Sequence, residues 1–184
     1  MTMREIAKVA GCSHTTIYIY FRDKEDLLYQ LSVGPLESLH QQMNALLFDK
    51  ELLSDEKLKS LGRVFIEFCF AHRNMYTIFF MTSATRVDEQ HPVSEINQLR
   101  VQLFGLLRHA VAEFLQIQQE ETLAWAYARI YFFSLHGIFA TYVNSEEPVE
   151  ALMARLGPTF DLALEVMISG FLTTSKGTMK QNED

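Results

Sequence analysis

The sequence predicts an all-α protein, with a helix-turn-helix at its N-terminus joined to a helical bundle. Three observations carry that prediction. Long stretches place Leu, Ala, Glu, Gln and Met at helical spacing, strand signals are scarce, and only four prolines interrupt 184 residues. With 48% hydrophobic residues, 14 Phe and 8 Met, the chain can build a sizeable core from one or two small domains. No internal repeat or low-complexity tract divides it.

The stretch from Thr2 to Lys24 organises the rest. Thr2 can cap a first short helix, and Glu5 three residues on completes a capping box. Met3, Ile6, Ala7 and Ala10 follow at i, i+3, i+4 and i+7, an apolar stripe. Gly11 stops this helix and Ser13 can cap the next. At about 100° per residue, Ile17, Tyr20 and Phe21 share one arc of the second helix. Thr15, Tyr18 and Ile19 share the other, with His14 and Thr16 on the flanks. The first arc is expected to pack on the preceding helix, and the second to point outward with hydroxyls and an aromatic ring. A helix-turn-helix presents its recognition helix to the major groove in this way. Ser13, His14, Thr15 and Ile19 then lie where base edges, thymine methyls included, can be read.

Asp23 is the expected cap of a helix from Lys24, with Asp26 as a weaker box partner. Leu27, Leu28 and Leu31 continue its apolar pattern. Gly34-Pro35 should kink or briefly break it before Leu36, Leu39, Met43, Leu46 and Leu47 resume the stripe. This long element is the candidate transmission rod, the alternative being a plain linker helix. A helix from Ser54 or Asp55 to about Arg73 carries Leu61, Val64, Phe65, Phe68, Cys69 and Phe70 too widely for a surface helix, so burial is expected. A short helix from Asn74 to about Met81, a polar loop over Thr82–His91, and a helix from Pro92 to about Ile117 follow. Glu120 or Glu121 opens the next, to about Val143. Glu146-Glu147-Pro148 begins a last pair, split by Gly157-Pro158 and ending near Thr173, and the tail from Thr174 is expected to be disordered.

Composition excludes several classes. The net charge is −7, yet Arg4, Lys8, Arg22 and Lys24 balance Glu5, Asp23, Glu25 and Asp26 within residues 1–28, so the remainder carries all of it. A neutral head on an acidic body fits DNA binding by local contacts and not general polyanion binding. Cys12 falls in a turn and Cys69 in an apolar run, so no disulfide is expected and a reducing cytoplasm fits. No signal peptide opens the chain, and the most apolar region, Ala124 to Val143, contains Arg129 and His136, which argues against a membrane span. Enzymatic signals are missing: the six histidines form no H-E-x-x-H pair, no Gly-rich phosphate loop appears, and no Ser or Cys has a general base nearby in sequence. No cofactor or metal is expected.

The head resembles the DNA-binding signature of the tetracycline-repressor (TetR) family, T-x-R-E-I-A-x-x-A-G-x-S, then T-x-Y-x-Y-F, then K-E-x-L. The matching residues are Thr2, Arg4, Glu5, Ile6, Ala7, Ala10, Gly11 and Ser13, then Thr16, Tyr18, Tyr20 and Phe21, then Lys24, Glu25 and Leu27. The run Trp125 to Val143, with Leu135-His136-Gly137, resembles more weakly the tryptophan/histidine-glycine segment of one regulatory-domain subgroup. The resemblance implies a DNA-binding head over residues 1–28 and a helical ligand-binding and dimerisation domain over 29–184. Members carry one more helix before the helix-turn-helix, and this chain starts where that helix would have ended. An incomplete three-helix head is therefore expected, because Met1 is not the true start or because the first helix was lost. Ile6, Val9 and Ile17 would then be partly exposed, at roughly 1.5–3 kcal/mol for each side chain left unburied.

The resemblance further implies a ligand-responsive repressor that binds a palindromic double-stranded DNA operator as a homodimer. Thr2, Thr16, Tyr18, Tyr20 and Lys24 match family positions that hold phosphates, Lys24 in the first turn of its helix, where free N–H groups add positive potential. Tyr20 and Thr16 have packing, and Ser13 capping, as the competing role. The last two long helices would pair with their copies. Small residues Ala128, Ser134, Gly137, Ala140 and Thr141 would permit close approach, with Met153, Leu156, Phe160, Leu164, Met167 and Phe171 as the matching apolar face. A small hydrophobic effector would bind among Phe65, Phe68, Cys69, Met75, Phe79, Phe104, Leu107, Trp125, Arg129, Tyr131, Phe132 and His136. For most of these residues core packing is the better expectation. Arg129 and His136, seven apart on one face of an apolar helix, need partners or a ligand. The alternative is a helical ligand-binding or protein-interaction module that has lost DNA binding.

Overall fold

A computed structural model of the chain describes residues 2–76, 88 and 95–181, with side chains to residue 175. Eight helices make up these described residues: α1 (Met3–Val9), α2 (His14–Tyr20), α3 (Lys24–Leu47), α4 (Ser54–Ala71), α5 (Arg73–Tyr76), α6 (Glu95–Leu115), α7 (Thr122–Tyr142) and α8 (Val149–Gln181). The protein is all-α, and no strand occurs among the described residues.

Local chemistry accounts for the ends of α1. Thr2 Oγ1 accepts the Glu5 N–H at 3.3 Å, and Glu5 Oε2 accepts the Thr2 N–H at 2.6 Å, closing the capping box. These bonds hold the exposed Glu5 carboxyl below its ordinary range. At the other end Cys12 N–H donates to Ala7 O at 3.0 Å and Gly11 N–H to Lys8 O at 3.3 Å. That pair is a Schellman motif, and it needs the left-handed φ of +70° that Gly11 supplies. Ser13 Oγ then accepts the Thr16 N–H at 3.0 Å to start α2.

Two separate hydrophobic clusters result. The small one joins Met3, Ala7, Ile17 and Leu27, with Ile6, Cys12 and Phe21 at its edge. The large one fills the body, and α4 lies at its centre, in contact with α3, α6, α7 and α8. Leu58, Leu61, Phe65, Ile66, Cys69 and Phe70 point inward along α4, while Arg63 and Glu67 stay outside. Each such side chain contributes roughly 1.5–3 kcal/mol by leaving water. Ion pairs matter less: Arg63 to Asp161 at 2.6 Å joins α4 to α8 in largely exposed positions, where such pairs are worth about 0–1 kcal/mol.

Several expectations change. Helix α3 runs unbroken through Gly34-Pro35. Packing of Leu36, Leu39, Met43 and Leu47 in the core outweighs the one hydrogen bond that Pro35 removes. The Asp26 carboxylate takes the Arg22 N–H at 2.8 Å instead of completing a box on Asp23. Helix α8 likewise passes through Gly157-Pro158 as one element and continues past Thr174 to Gln181, so the tail is helical that far. Ile17 is buried, because Met3, Ala7 and Leu27 close around it, whereas Val9 is 85% exposed and Ile6 half-buried. The short helix is described only to Tyr76, and the continuation to Met81, the loop to His91 and the Pro92 helix start lie outside the described residues apart from Asp88.

Candidate nucleic-acid interface and effector site

On α2, Ile17 is the one fully buried side chain, and it anchors the helix against α1. The rest of the helix is thereby turned outward. His14, Thr15, Tyr18 and Ile19 are exposed at i, i+1, i+4 and i+5, one continuous face. Ile19 is 73% exposed, an apolar group left in water. The His14 and Tyr18 rings meet edge-on at 4.9 Å, which fixes their directions. Tyr20 departs from expectation. It shares Ile17's arc but is 70% exposed and stands outside the cluster that Ile17 joins.

The hydroxyls around this face differ in freedom. Ser13 Oγ and Thr16 Oγ1 lie 2.7 Å apart and serve each other and the cap. Thr2 Oγ1 also donates to Glu5 Oε2 at 3.1 Å. Lys24 is exposed in the first turn of α3, where Asp23 Oδ1 caps the Asp26 N–H at 2.8 Å. Thr2, Ser13, His14, Thr15, Tyr18, Ile19, Tyr20 and Lys24 are all exposed, with Thr16 half-buried.

Inside the body the aromatic residues form a lane between α4, α6 and α7. Ring centroids of Phe104 lie 6.0 Å from both Trp125 and Phe132, and Phe132 lies 6.1 Å from Phe65 and 6.0 Å from His136. His136 Nδ1 is hydrogen-bonded to the buried Tyr76 hydroxyl. Burial, and then the charge of Arg100, lowers the pKa of His136, while burial pushes Tyr76 up. Arg129 Nε donates to Asp88 Oδ2 at 2.7 Å, and its guanidinium stands 5.4 Å from the Trp125 ring centre. The two polar groups of α7 therefore both have protein partners.

Other predicted residues lie away from this lane or have tasks elsewhere. The Tyr131 hydroxyl donates to Leu58 O at 2.6 Å. Phe68 turns to His72, with ring centres 4.6 Å apart. Cys69 and Leu107 are enclosed in the core, and burial raises the Cys69 thiol well above its ordinary range. Met75 is half-buried at the core's margin, and Phe79 lies outside the described residues. Sequence reasoning missed Tyr76, Asp88, Arg100 and Arg108. The two arginines were findable, since they stand four residues either side of Phe104 and so share its face of α6.

At the outer surface of α7 and α8, Ile130, Phe133, Leu162 and Val166 are exposed. Gly137 and Thr141 continue the α7 row, with Ser134 and Ala140 half-buried. Ala128 faces its own core instead, as do Phe160, Leu164 and Phe171, with Met153, Leu156 and Met167 packed alongside. The expected matching face of α8 is thus the one its own subunit uses.

Among the described residues no helix is long and apolar enough to cross a membrane, and no group of three or more His, Cys, Asp or Glu could hold a metal ion. A family model described as bacterial regulatory proteins of the tetR family matches residues 1–31. A second, tetracyclin repressor-like C-terminal domain, matches residues 58–167, more than half of the chain. The search of curated proteins found no match. With one match over the helix-turn-helix and the other over more than half of the chain, the chain belongs to the TetR family of transcriptional regulators.

Proposed function

We propose that this chain is a ligand-responsive repressor that binds a palindromic operator as a homodimer, with residues 1–28 as reading head and 29–184 as body. The observation that carries the reading is the uncovered face of α2, His14, Thr15, Tyr18 and Ile19, on a helix anchored through Ile17. Ile19 suits a thymine methyl, and His14 and Thr15 offer polar groups to base edges, with Ser13 at the helix start. Thr2, Thr16, Tyr18, Tyr20 and Lys24 are the phosphate contacts that set register.

A palindromic site needs two heads, and Ile130, Phe133, Leu162 and Val166 support pairing through α7 and α8. Helix α3 supports a transmission role: Leu27 sits in the head cluster, and Leu36 to Leu47 sit in the body core of the same unbroken helix. A shift of the body that tilts α3 moves the heads away from the half-site spacing of about 34 Å. The effector binds the tilted state better and so lowers DNA affinity.

Fluorescence anisotropy with a duplex selected for the chain tests this. Ile19→Ala is expected to weaken binding to that duplex by about 10-fold and to relax its sequence preference, within the 1–3 kcal/mol of a base contact. Lys24→Ala is expected to weaken all duplexes alike. Equal affinities for wild type and both variants, or no change across a panel of hydrophobic ligands, would count against the reading.

A further inference from the structure

Two arginines, Arg108 and Arg129, stand over Trp125 in the aromatic lane between α6 and α7. Asp88 serves Arg129, at 2.7 Å. Arg108 has no such partner. Its guanidinium carbon stands over the Trp125 ring, 4.0 Å from its centre, and its Nε is enclosed, with no acceptor among the described residues. The acid that acts on it electrostatically, Glu120, is exposed at the far end of α6's connection to α7.

A ring against a guanidinium engages its face and leaves its edge, where Nε is the enclosed donor, open to an anion. An enclosed donor without an acceptor is costly, and a carboxylate answers it with two parallel charge-assisted bonds. Beyond Trp125 the lane continues through Phe104 and Phe132 at 6.0 Å steps to His136, where the Tyr76 hydroxyl and the charge of Arg100 are also felt. The surroundings therefore favour a molecule with one anionic end and an apolar body. A cationic ligand would meet Arg108 and Arg129 together and be repelled.

We propose that the effector is an amphipathic carboxylic acid, its carboxylate held by Arg108 and its aromatic or alkyl body laid along Trp125, Phe104 and Phe132. The inference rests on the reading of this lane as the effector site. It narrows the ligand class from any small hydrophobe to organic anions.

Trp125 is the chain's only tryptophan, so its fluorescence reports the site alone. Decanoate and 4-phenylbutyrate are titrated against their primary amides, with the full chain free and bound to a labelled duplex. The acids are expected to change Trp125 emission saturably and to bind at least about ten-fold more tightly than the amides. Arg108→Gln should abolish that preference with the melting temperature unchanged, and Arg108→Lys, which keeps the charge and loses the fork, should retain part of it. Equal binding of acids and amides, a preference that survives Arg108→Gln, or no emission change with either series would overturn the proposal. Acid binding that leaves duplex affinity unaltered would support the anion site and contradict the regulator reading. Duplex release by the amides alone would keep the regulator reading and overturn the anion.

Discussion

His136 is the residue whose chemistry is most exposed to conditions. It is half-buried, bonded to the Tyr76 hydroxyl, and held neutral by burial and by Arg100. Its pKa in the folded state is below the ordinary 6.5, so between the two values the unfolded chain binds the extra proton. Its contribution to stability is therefore complete above pH 6.5 and declines as pH falls toward the folded value. Thermal melts from pH 8 to 5 should show wild type losing stability relative to His136→Gln over that fall, and parallel curves would refute the assignment. Gly62 is a second sensitive point. A Cβ there would overlap the Tyr131 hydroxyl and come within 2.8 Å of Leu164 Cδ2. Gly62→Ala should destabilise the protein by about 1–3 kcal/mol, through overpacking and loss of the Tyr131–Leu58 bond, as read by urea titration.

Helix ends show how elements are placed by a few bonds. Helix α6 stops in a Schellman motif like that of α1, with Ile117 N–H on Ala112 O at 3.1 Å and Gln116 N–H on Glu113 O at 3.3 Å. Here the left-handed residue is Gln116, at φ +57°, instead of glycine. A side chain in that region costs about 1–2 kcal/mol, so Gln116→Gly is expected to raise stability by about 1 kcal/mol after its greater unfolded-state freedom is counted. No gain in the unfolding midpoint would contradict this. Helices with a clear cap, such as Thr2-Glu5 and Asp23, were legible in the sequence because their signals are local. Continuity across Gly34-Pro35 and Gly157-Pro158 was not, because core packing on either side decides it. The same holds for the lane: Trp125, Arg129 and His136 stood out on an apolar helix, while Asp88 reaches Arg129 from a distance in sequence that no spacing rule covers. Tyr20 is exposed although it shares Ile17's arc, because arc position alone does not say which side chains a small cluster has room to cover.

At the scale of the whole molecule, an exposed apolar row on α7 and α8 and an exposed reading face on α2 define the two surfaces that the proposed function uses. Phe133, 62% exposed on the single subunit, sits in the first of them. Phe133→Glu should leave the subunit folded and shift it to monomer in sedimentation equilibrium, with loss of operator affinity as the second head is lost. A variant that remains dimeric would place the interface elsewhere. The most direct measurement is selection of binding duplexes from a randomised pool by the full chain at low salt, followed by sequencing. An inverted repeat is expected, its half-sites centred about one helical turn apart and its preference relaxed when Ile19 is replaced. Recovery of no enriched sequence, or of a single unpaired half-site, would contradict it.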